Sequence, residues 1–286
     1  MFVQDYSWET SAGYRQAIDG NERFIAASED FIRKQESIEL YCDFCESVRT
    51  MRVDVGPNFG EGYPNLREGL VCECGAKNRD RLMMLAIRPR IHSNDRIVVF
   101  GSTGRLAAWL RATHSNTTFC EHFGAAHASG ARVETEDGPV LNENLCGMTF
   151  ADGSVDMLVH CDVLEHIPNV ARAAEECARV LAPGGRLIFT MPFFQALEAT
   201  IVRARVDAAG TVEHLLPPEI HGDPIQPEGA LAYYNFGWDV LDYFRSAGLA
   251  NTAVHMVYDT IRGLVSNGCQ YPELNMLPIY LVTTKT

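Results

Sequence analysis

Residues 148–192 read MTFADGSVDMLVHCDVLEHIPNVARAAEECARVLAPGGRLIFTMP, and this stretch decides the fold. The apolar run 155–160 follows a group of turn residues and is typical of a buried strand. Within 170–180, apolar residues recur at helical spacing and predict one buried face of a helix. Pro183 and two glycines end that helix, and 186–191 is rich in residues that favour strands. A strand, a helix and a second strand in this order predict a βαβ unit, and therefore a parallel sheet covered by helices.

The same stretch resembles the central segment of the class I S-adenosylmethionine-dependent methyltransferases. In that family the run LEHIP, here 164–168, follows the fourth strand, and PGG, here 183–185, precedes the fifth. The resemblance implies an α/β domain over 93–286, with a Rossmann-like, seven-stranded, mostly parallel sheet and helices on both faces. It also implies that S-adenosylmethionine is the cofactor.

Composition narrows the class of protein further. With 286 residues, of which 47% are hydrophobic, the chain can bury a sizeable core. A formal net charge of -13 disfavours nucleic acid as a partner. No apolar run approaches the ~20 residues that span a bilayer, and the N-terminus lacks the pattern of a signal peptide. We therefore expect a cytoplasmic protein that binds neither nucleic acid nor membranes, while its oligomeric state cannot be predicted.

Residues 1–92 are expected to form an N-terminal module made of a helical segment and a zinc site. The segment 9–40 favours helix, with a predicted apolar stripe formed by Phe24, Ile25, Phe31 and Ile32. A second helix is predicted over 78–87, leading into the methyltransferase domain. Its Arg79 and Arg81 are interpreted as solvated charges rather than as ligands for an anion.

Two cysteine pairs lie between these helices. Cys42 and Cys45 form a C-x2-C pair, and Cys72 and Cys74 form a C-x-C pair after a loop rich in glycine and proline. Each pair offers two thiolates from one tight turn, which suits a tetrahedral zinc site, and Gly75 permits the second bend. We predict structural zinc on these four cysteines. The alternative is four reduced cysteines without a metal.

The cofactor is expected to lie over the first glycine turn of the domain. The strand 96–100 ends in GSTG, and a helix follows, so the turn can approach a ligand and point a helix N-terminus at it. Gly101, Ser102 and Gly104 are therefore predicted to bind the cofactor. Glu121 ends the next strand, at the separation where a doubly wound fold places the carboxylate that binds a ribose.

The resemblance adds three further cofactor contacts. It implies that Asn144 and Leu145 contact the adenine, one through its side chain and the other through its backbone amide. Asn144 could equally serve only as a turn residue. His160, at the end of the fourth strand, is expected near the methionine part of the cofactor.

The segment 193–235 is a long insertion after the fifth strand, and we interpret it as a substrate cap. It contains His214 and His221, and an imidazole titrates near neutral pH, so either histidine is a candidate general base. Asp223, two residues after His221, is predicted to fix the tautomer of that histidine.

Asp162 and Glu165 are the next candidates for the base. The string HCDVLEHI also resembles a segment of ubiquinone-pathway O-methyltransferases in which two acids and the following histidine bind a divalent metal, here Asp162, Glu165 and His166. Many methyltransferases use a similar run only to shape the loop, which is the alternative.

The leading prediction is an enzyme that methylates an oxygen or a nitrogen of a small molecule, such as a metabolite or a sugar-like precursor. A second reading is a protein or peptide methyltransferase whose cysteine module docks the partner. A third is a cofactor-binding scaffold without catalysis, because the GSTG turn has two glycines where the family usually has three.

Overall fold

The computed structural model describes residues 3–18, 21–54, 64–223, 225–267 and 275–286. Within them the α-helices are α1 Ser11–Ile18, α2 Glu22–Arg33, α3 Leu66–Gly69, α4 Asn78–Ile87, α5 Gly104–Thr113, α6 Val170–Val180 and α7 Val240–Ser246. The strands of the first half are β1 Val3–Trp8, β2 Ser37–Cys42, β3 Ser47–Val53, β4 Leu70–Cys72, β5 Ile97–Phe100, β6 Thr117–Glu121, β7 Arg132–Thr135 and β8 Gly138–Asn142. Those of the second half are β9 Val155–Cys161, β10 Leu181–Thr190, β11 Ile201–Val202, β12 Ala204–Val206, β13 Val212–His214, β14 Ile220–His221, β15 Ala230–Leu231, β16 Tyr234–Asn235, β17 Ala253–Asp259 and β18 Ile279–Thr284.

Nine of the described strands form one sheet in the order β1-β17-β18-β10-β9-β5-β6-β8-β7. The five central strands, from β10 to β8, are parallel to one another. The outer strands pair antiparallel. The chain leaves β5 toward β6 on one side and later returns to β9 on the other. A crevice for ligands therefore lies at the carboxyl ends of β5 and β9.

The α/β architecture and the mostly parallel sheet agree with the sequence prediction, but the strand count does not. Seven strands were expected, and the sheet has two further edge strands among the described residues, β1 and β7. β7 is the hairpin partner of β8. β1 pairs with β17, so residues placed in the N-terminal module are part of the large sheet.

Apolar residues cover both faces of the sheet, because neighbouring side chains of a strand point to opposite faces. In β5, Val98 and Phe100 pack into one buried cluster, while Ile97 and Val99 pack into another. The helix predicted over 170–180 is confirmed as α6, with its apolar positions buried against the sheet.

The helical segment expected over 9–40 consists of two helices, α1 and α2, and its end belongs to the strand β2. Only half of the apolar stripe predicted for this segment is buried. Ile25 and Ile32 are buried, whereas Phe24 and Phe31 are exposed. Adjacent helical residues point about 100° apart, so only one of each pair faces the core. No described helix has the length and apolar character needed to cross a membrane.

Candidate active site

A cleft of about 2200 Å³ opens at the carboxyl ends of the central strands. The glycine turn, Glu121, the loop 161–169 and the cap all contribute to its lining, as does the N-terminal module. Pockets for one small ligand usually measure about 300–1,000 Å³, so this cleft has room for a cofactor and an acceptor together.

The glycine turn presents bare backbone to the cleft. Gly101 and Gly104 have φ values of 125° and 83°, which favour glycine, and nothing lies within 4 Å of the position of a Cβ atom. Ser102 differs from the prediction, because its side chain is buried and does not line the cleft, whereas Thr103 does. The Ser102 backbone N–H instead donates to Glu121 Oε1 at 2.6 Å. Ser102 therefore positions Glu121.

Glu121 stands at the end of β6 and lines the cleft, as predicted for a ribose ligand. Burial raises the pKa of Glu121, although the hydrogen bonds from Ser102 oppose that rise. Because Ser102 binds one carboxylate oxygen, the other can accept a hydrogen bond from a ligand.

Asn144 and Leu145 also line the cleft. The Asn144 side chain accepts a hydrogen bond from the Cys146 N–H at 2.8 Å, so it does form the turn that the sequence left open as an alternative. Its amide nitrogen can still donate to a ligand.

His160 does not line the cleft in which the cofactor is expected. Its ring is fully buried, 4.6 Å between centroids from the ring of Phe189, and is not part of the cleft lining. Burial lowers the pKa of His160 to about 3, so the imidazole is neutral. The next residue of β9, Cys161, lines the cleft instead.

Asp162 is paired with arginines rather than available as a base or a metal ligand. Arg67 Nη2 lies 2.6 Å from Asp162 Oδ1, Arg79 also donates to this carboxylate, and Thr190 Oγ1 donates at 3.0 Å. Burial alone would raise the pKa of Asp162, but the two guanidinium groups hold it far below its usual value. A carboxylate that stays ionised in this way accepts a proton poorly, which corrects the prediction.

Arg79 and Arg81 are likewise not solvated charges. Arg79 pairs with Asp162 and lies 3.5 Å from Glu68. Arg81 is fully buried and donates to the carbonyl oxygens of Leu70 at 3.2 Å and Ala76 at 2.9 Å. The sequence of this helix did not predict that the two arginines are paired, because their partners come from other segments.

Replacing Asp162 with asparagine should lower the free energy of unfolding by about 3 kcal/mol at neutral pH, because two partly buried guanidinium groups lose their shared carboxylate. Since folding depresses the pKa of Asp162, its contribution is present above the unfolded pKa of about 3.9 and is lost only as pH falls through the lower folded value. Chemical denaturation would measure this. The matched control is Asp156→Asn, which removes a more exposed pair with Arg96 and should cost no more than about 1 kcal/mol.

The two cap histidines have different positions. His214 lies on the exposed strand β13 and is absent from the cleft lining, which corrects its prediction as a base. His221 lines the cleft. Its Nε2 atom lies 2.9 Å from Glu219 Oε1 rather than beside Asp223. Asp223 instead accepts from the backbone of Ile225.

His221 belongs to a cluster with Glu165 and His166, whose ligand atoms lie within 4.8 Å of one another. Glu165 Oε1 is 3.6 Å from His166 Nε2 and 3.7 Å from His221 Nδ1. Burial lowers the pKa of His221, but the carboxylates of Glu165 and Glu219 outweigh it and raise the value to about 9. The two carboxylates therefore favour a positive charge at this cluster.

The four predicted cysteine ligands are brought together. Their sulfur atoms lie within 4.8 Å of one another, and Cys42 Sγ is 3.9 Å from Cys74 Sγ. Tetrahedral zinc with bonds of about 2.3 Å would separate its sulfurs by about 3.8 Å. Tight turns hold each pair, through Cys45 N–H to Cys42 O at 3.2 Å and Gly75 N–H to Cys72 O at 2.8 Å. The group fits a zinc ion.

Part of the chain is similar to known methyltransferases. Residues 99–189 match the family described as a methyltransferase domain. An uncharacterized methyltransferase of Mycolicibacterium gilvum is 34% identical over 67 residues, which cover 23% of this chain and 26% of that protein. A probable S-adenosylmethionine-dependent methyltransferase of Mycobacterium tuberculosis is 42% identical over 53 residues, covering 18% of this chain and 19% of that protein.

The chain thus spans about a quarter or less of the length of these relatives. Among solved structures, an S-adenosylmethionine-dependent methyltransferase from Mesorhizobium loti is 14% identical with a TM-score of 0.40, covering 71% of this chain and 98% of that chain. The region 99–189 contains the glycine turn, Glu121 and Glu165.

Proposed function

We propose that this chain, whose residues 99–189 match a methyltransferase domain, transfers a methyl group from S-adenosylmethionine to a small-molecule acceptor. One observation carries the proposal. A single large cleft is lined both by the bare glycine turn with Glu121 and by the cluster of Glu165, His166 and His221. We further propose that the N-terminal cysteines bind one structural zinc ion.

The first part of the cleft fits the cofactor. Gly101 and Gly104 leave open space for close approach of a ligand, and the N-terminus of α5 follows them. Glu121 keeps one oxygen free for a ribose hydroxyl. Asn144 and Leu145 are the proposed contacts of the adenine.

The second part of the cleft would bind the acceptor and prepare it for methylation. When bound, S-adenosylmethionine supplies a methyl group that its sulfonium already activates. The protein must hold the nucleophilic atom of the acceptor in line and remove its proton. Tyr233 and Leu231 line the cleft from the cap and would orient the acceptor. The cluster around His221 would promote the loss of this proton, since Asp162 is occupied by its arginines.

A small acceptor is favoured because the cap contributes much of the wall of this part of the cleft. The cap contains three short antiparallel pairs, β11 with β16, β12 with β13 and β14 with β15. Residues from the first and third pairs line the cavity, His221 among them, and so does Arg203, which lies between β11 and β12. Such a cover suits a compact molecule better than an extended peptide.

The test is to incubate the protein with S-adenosylmethionine labelled on its methyl group and with two separated fractions of a cell extract, one of small molecules and one of proteins. Label is expected in the small-molecule fraction only. Label in protein would overturn the acceptor class. Cofactor binding without transfer to either fraction would favour a scaffold, and absence of cofactor binding in calorimetry would overturn the whole proposal.

Replacing Glu121 with alanine is expected to weaken S-adenosylmethionine binding by roughly 1.5 to 3 kcal/mol, because charge-assisted hydrogen bonds to the ribose are lost. Calorimetry would measure the change. Glu134→Ala, which removes an exposed glutamate of the edge strand β7, is the control and should bind normally. Equal affinities of the two variants would remove Glu121 from the cofactor site.

A further inference from the structure

Three side chains of the cleft converge without hydrogen bonds to one another. Glu165 is fully buried, and neither of its oxygens has a hydrogen-bond partner within the described part of the chain. The facing nitrogens of His166 and His221, at 3.6 and 3.7 Å, are beyond hydrogen-bond distance. A buried carboxylate in this position is unfavourable unless a cation accompanies it.

The outer nitrogens of both histidines fix which atoms face the carboxylate. His166 Nδ1 lies 2.9 Å from the carbonyl oxygen of Leu231, which can only accept, so Nδ1 carries a hydrogen and Nε2 is the atom that faces Glu165. His221 Nε2 lies 2.9 Å from Glu219 Oε1, so its Nδ1 is the atom that faces Glu165, and this nitrogen would release its proton to a bound cation. Histidines that bind metals make this type of outer hydrogen bond.

Glu219 is itself held in place. Its second oxygen lies 3.2 Å from Arg203 Nε, and Arg203 also donates to Asn235 Oδ1 at 2.9 Å. The cap therefore supports His221 through a chain of polar contacts. This is the kind of outer support that sets the orientation of a metal ligand.

We propose that Glu165, His166 and His221 bind a divalent transition-metal ion, and that this ion binds an oxygen of the methyl acceptor. Two imidazole nitrogens and one carboxylate oxygen suit manganese, iron or zinc better than calcium or magnesium, which prefer oxygen ligands. Three protein ligands leave positions open for a substrate. The acceptor part of this inference rests on the proposed function, whereas ion binding does not.

The ion would define the class of acceptor. A hydroxyl bound to a divalent cation loses its proton more readily, and the proton would pass to water in the cleft. The oxygen then forms a bond to the methyl carbon as the carbon–sulfur bond breaks and its electron pair remains on sulfur. The product is a methyl ether, so the acceptor is a hydroxylated compound.

This ligand set differs from the one that the loop sequence suggested. Asp162 points to Arg67 and Arg79 and is not among the clustered groups, and the cap provides His221 in its place. The cap and the loop after β9 must therefore both be in position before the ion can bind.

Manganese titration of the full chain, with zinc on its cysteines and without cofactor or acceptor, tests the site. Electron paramagnetic resonance measures free Mn²⁺, and thiolates compete weakly for this ion. We expect about one Mn²⁺ bound per chain. Glu165→Gln and His221→Asn should each weaken binding by at least about 100-fold, and Glu219→Gln by about 10- to 100-fold.

His214→Asn is the matched control, since it changes an exposed histidine of the same cap, and it should bind Mn²⁺ normally. Unchanged zinc content and S-adenosylmethionine affinity show that a variant is folded.

Absence of saturable Mn²⁺ binding in the unaltered chain, or binding that survives both Glu165→Gln and His221→Asn, would overturn the ion site. Methylation at nitrogen would overturn the oxygen acceptor. If the chain does not bind S-adenosylmethionine, the proposed function is wrong. The Mn²⁺ titration still tests the ion site, because it is done without cofactor.

Discussion

His221→Ala is expected to lower the turnover number by about 10²- to 10⁴-fold, while the affinity for S-adenosylmethionine stays nearly constant. The imidazole lines the cleft, whereas the proposed cofactor contacts lie on other segments, the glycine turn and Glu121. Its loss removes one of the groups that would hold the ion promoting release of the acceptor's proton. Turnover would be measured with the acceptor found in the labelling experiment, and cofactor affinity by calorimetry.

The control for this prediction is His214→Ala, which removes the same kind of side chain from an exposed strand of the same cap. Its turnover should match that of the unaltered chain. If His221→Ala raises only the concentration of acceptor needed for half-maximal rate, His221 is a recognition residue. If both variants turn over normally, the proton is removed elsewhere.

The central sheet could be predicted because its signals are local. The pattern of 148–192 contains a strand, its crossover helix and the next strand, and each is found close to its expected position in β9, α6 and β10. β1 was missed because its partner, β17, lies at the opposite end of the chain. Pairing between such distant segments leaves no periodic signal near Val3–Trp8.

The lining of the cleft was predicted best where topology alone determines position. Gly101 follows β5 and Glu121 ends the neighbouring parallel strand β6, so both reach the same crevice. Asp162 was misassigned because its partners, Arg67 and Arg79, precede it by 95 and 83 residues and reach it only when the N-terminal module docks. No spacing rule in the loop could have predicted that contact.

The partner of His221 could have been found from the sequence. Residues two apart in an extended segment point to the same side, so Glu219 is placed beside His221 by strand geometry. Asp223 follows the strand, and its side chain accepts hydrogen bonds from the backbone N–H groups of Ile225 and Gln226. The alternation of side chains along the strand therefore identifies the partner of His221, whereas nearness in sequence alone wrongly favours Asp223.

The cysteine module contains a second feature that the sequence did not predict. Arg81 is buried beside it, and within the described residues its guanidinium donates to carbonyl oxygens only. A buried cation without a carboxylate partner is unfavourable. Zinc bound by four thiolates carries a net charge of about two negative units, which would compensate Arg81. The two charges therefore favour each other's burial.

Cys45→Ser is accordingly expected to abolish the binding of one zinc ion per chain and to lower the free energy of unfolding by on the order of 5 kcal/mol. That loss is a fraction of the about 10–16 kcal/mol that structural zinc contributes in zinc-finger peptides. It includes the cost of leaving Arg81 without a counter-charge. Metal analysis and thermal denaturation would measure both effects, and a strong chelator should reproduce them in the unaltered chain. Cys146→Ser, outside the cysteine cluster, is the control and should retain its zinc. A Cys45→Ser protein that is as stable as the unaltered chain would mean that these cysteines are ordinary reduced thiols and that Arg81 is balanced by the carbonyl groups alone.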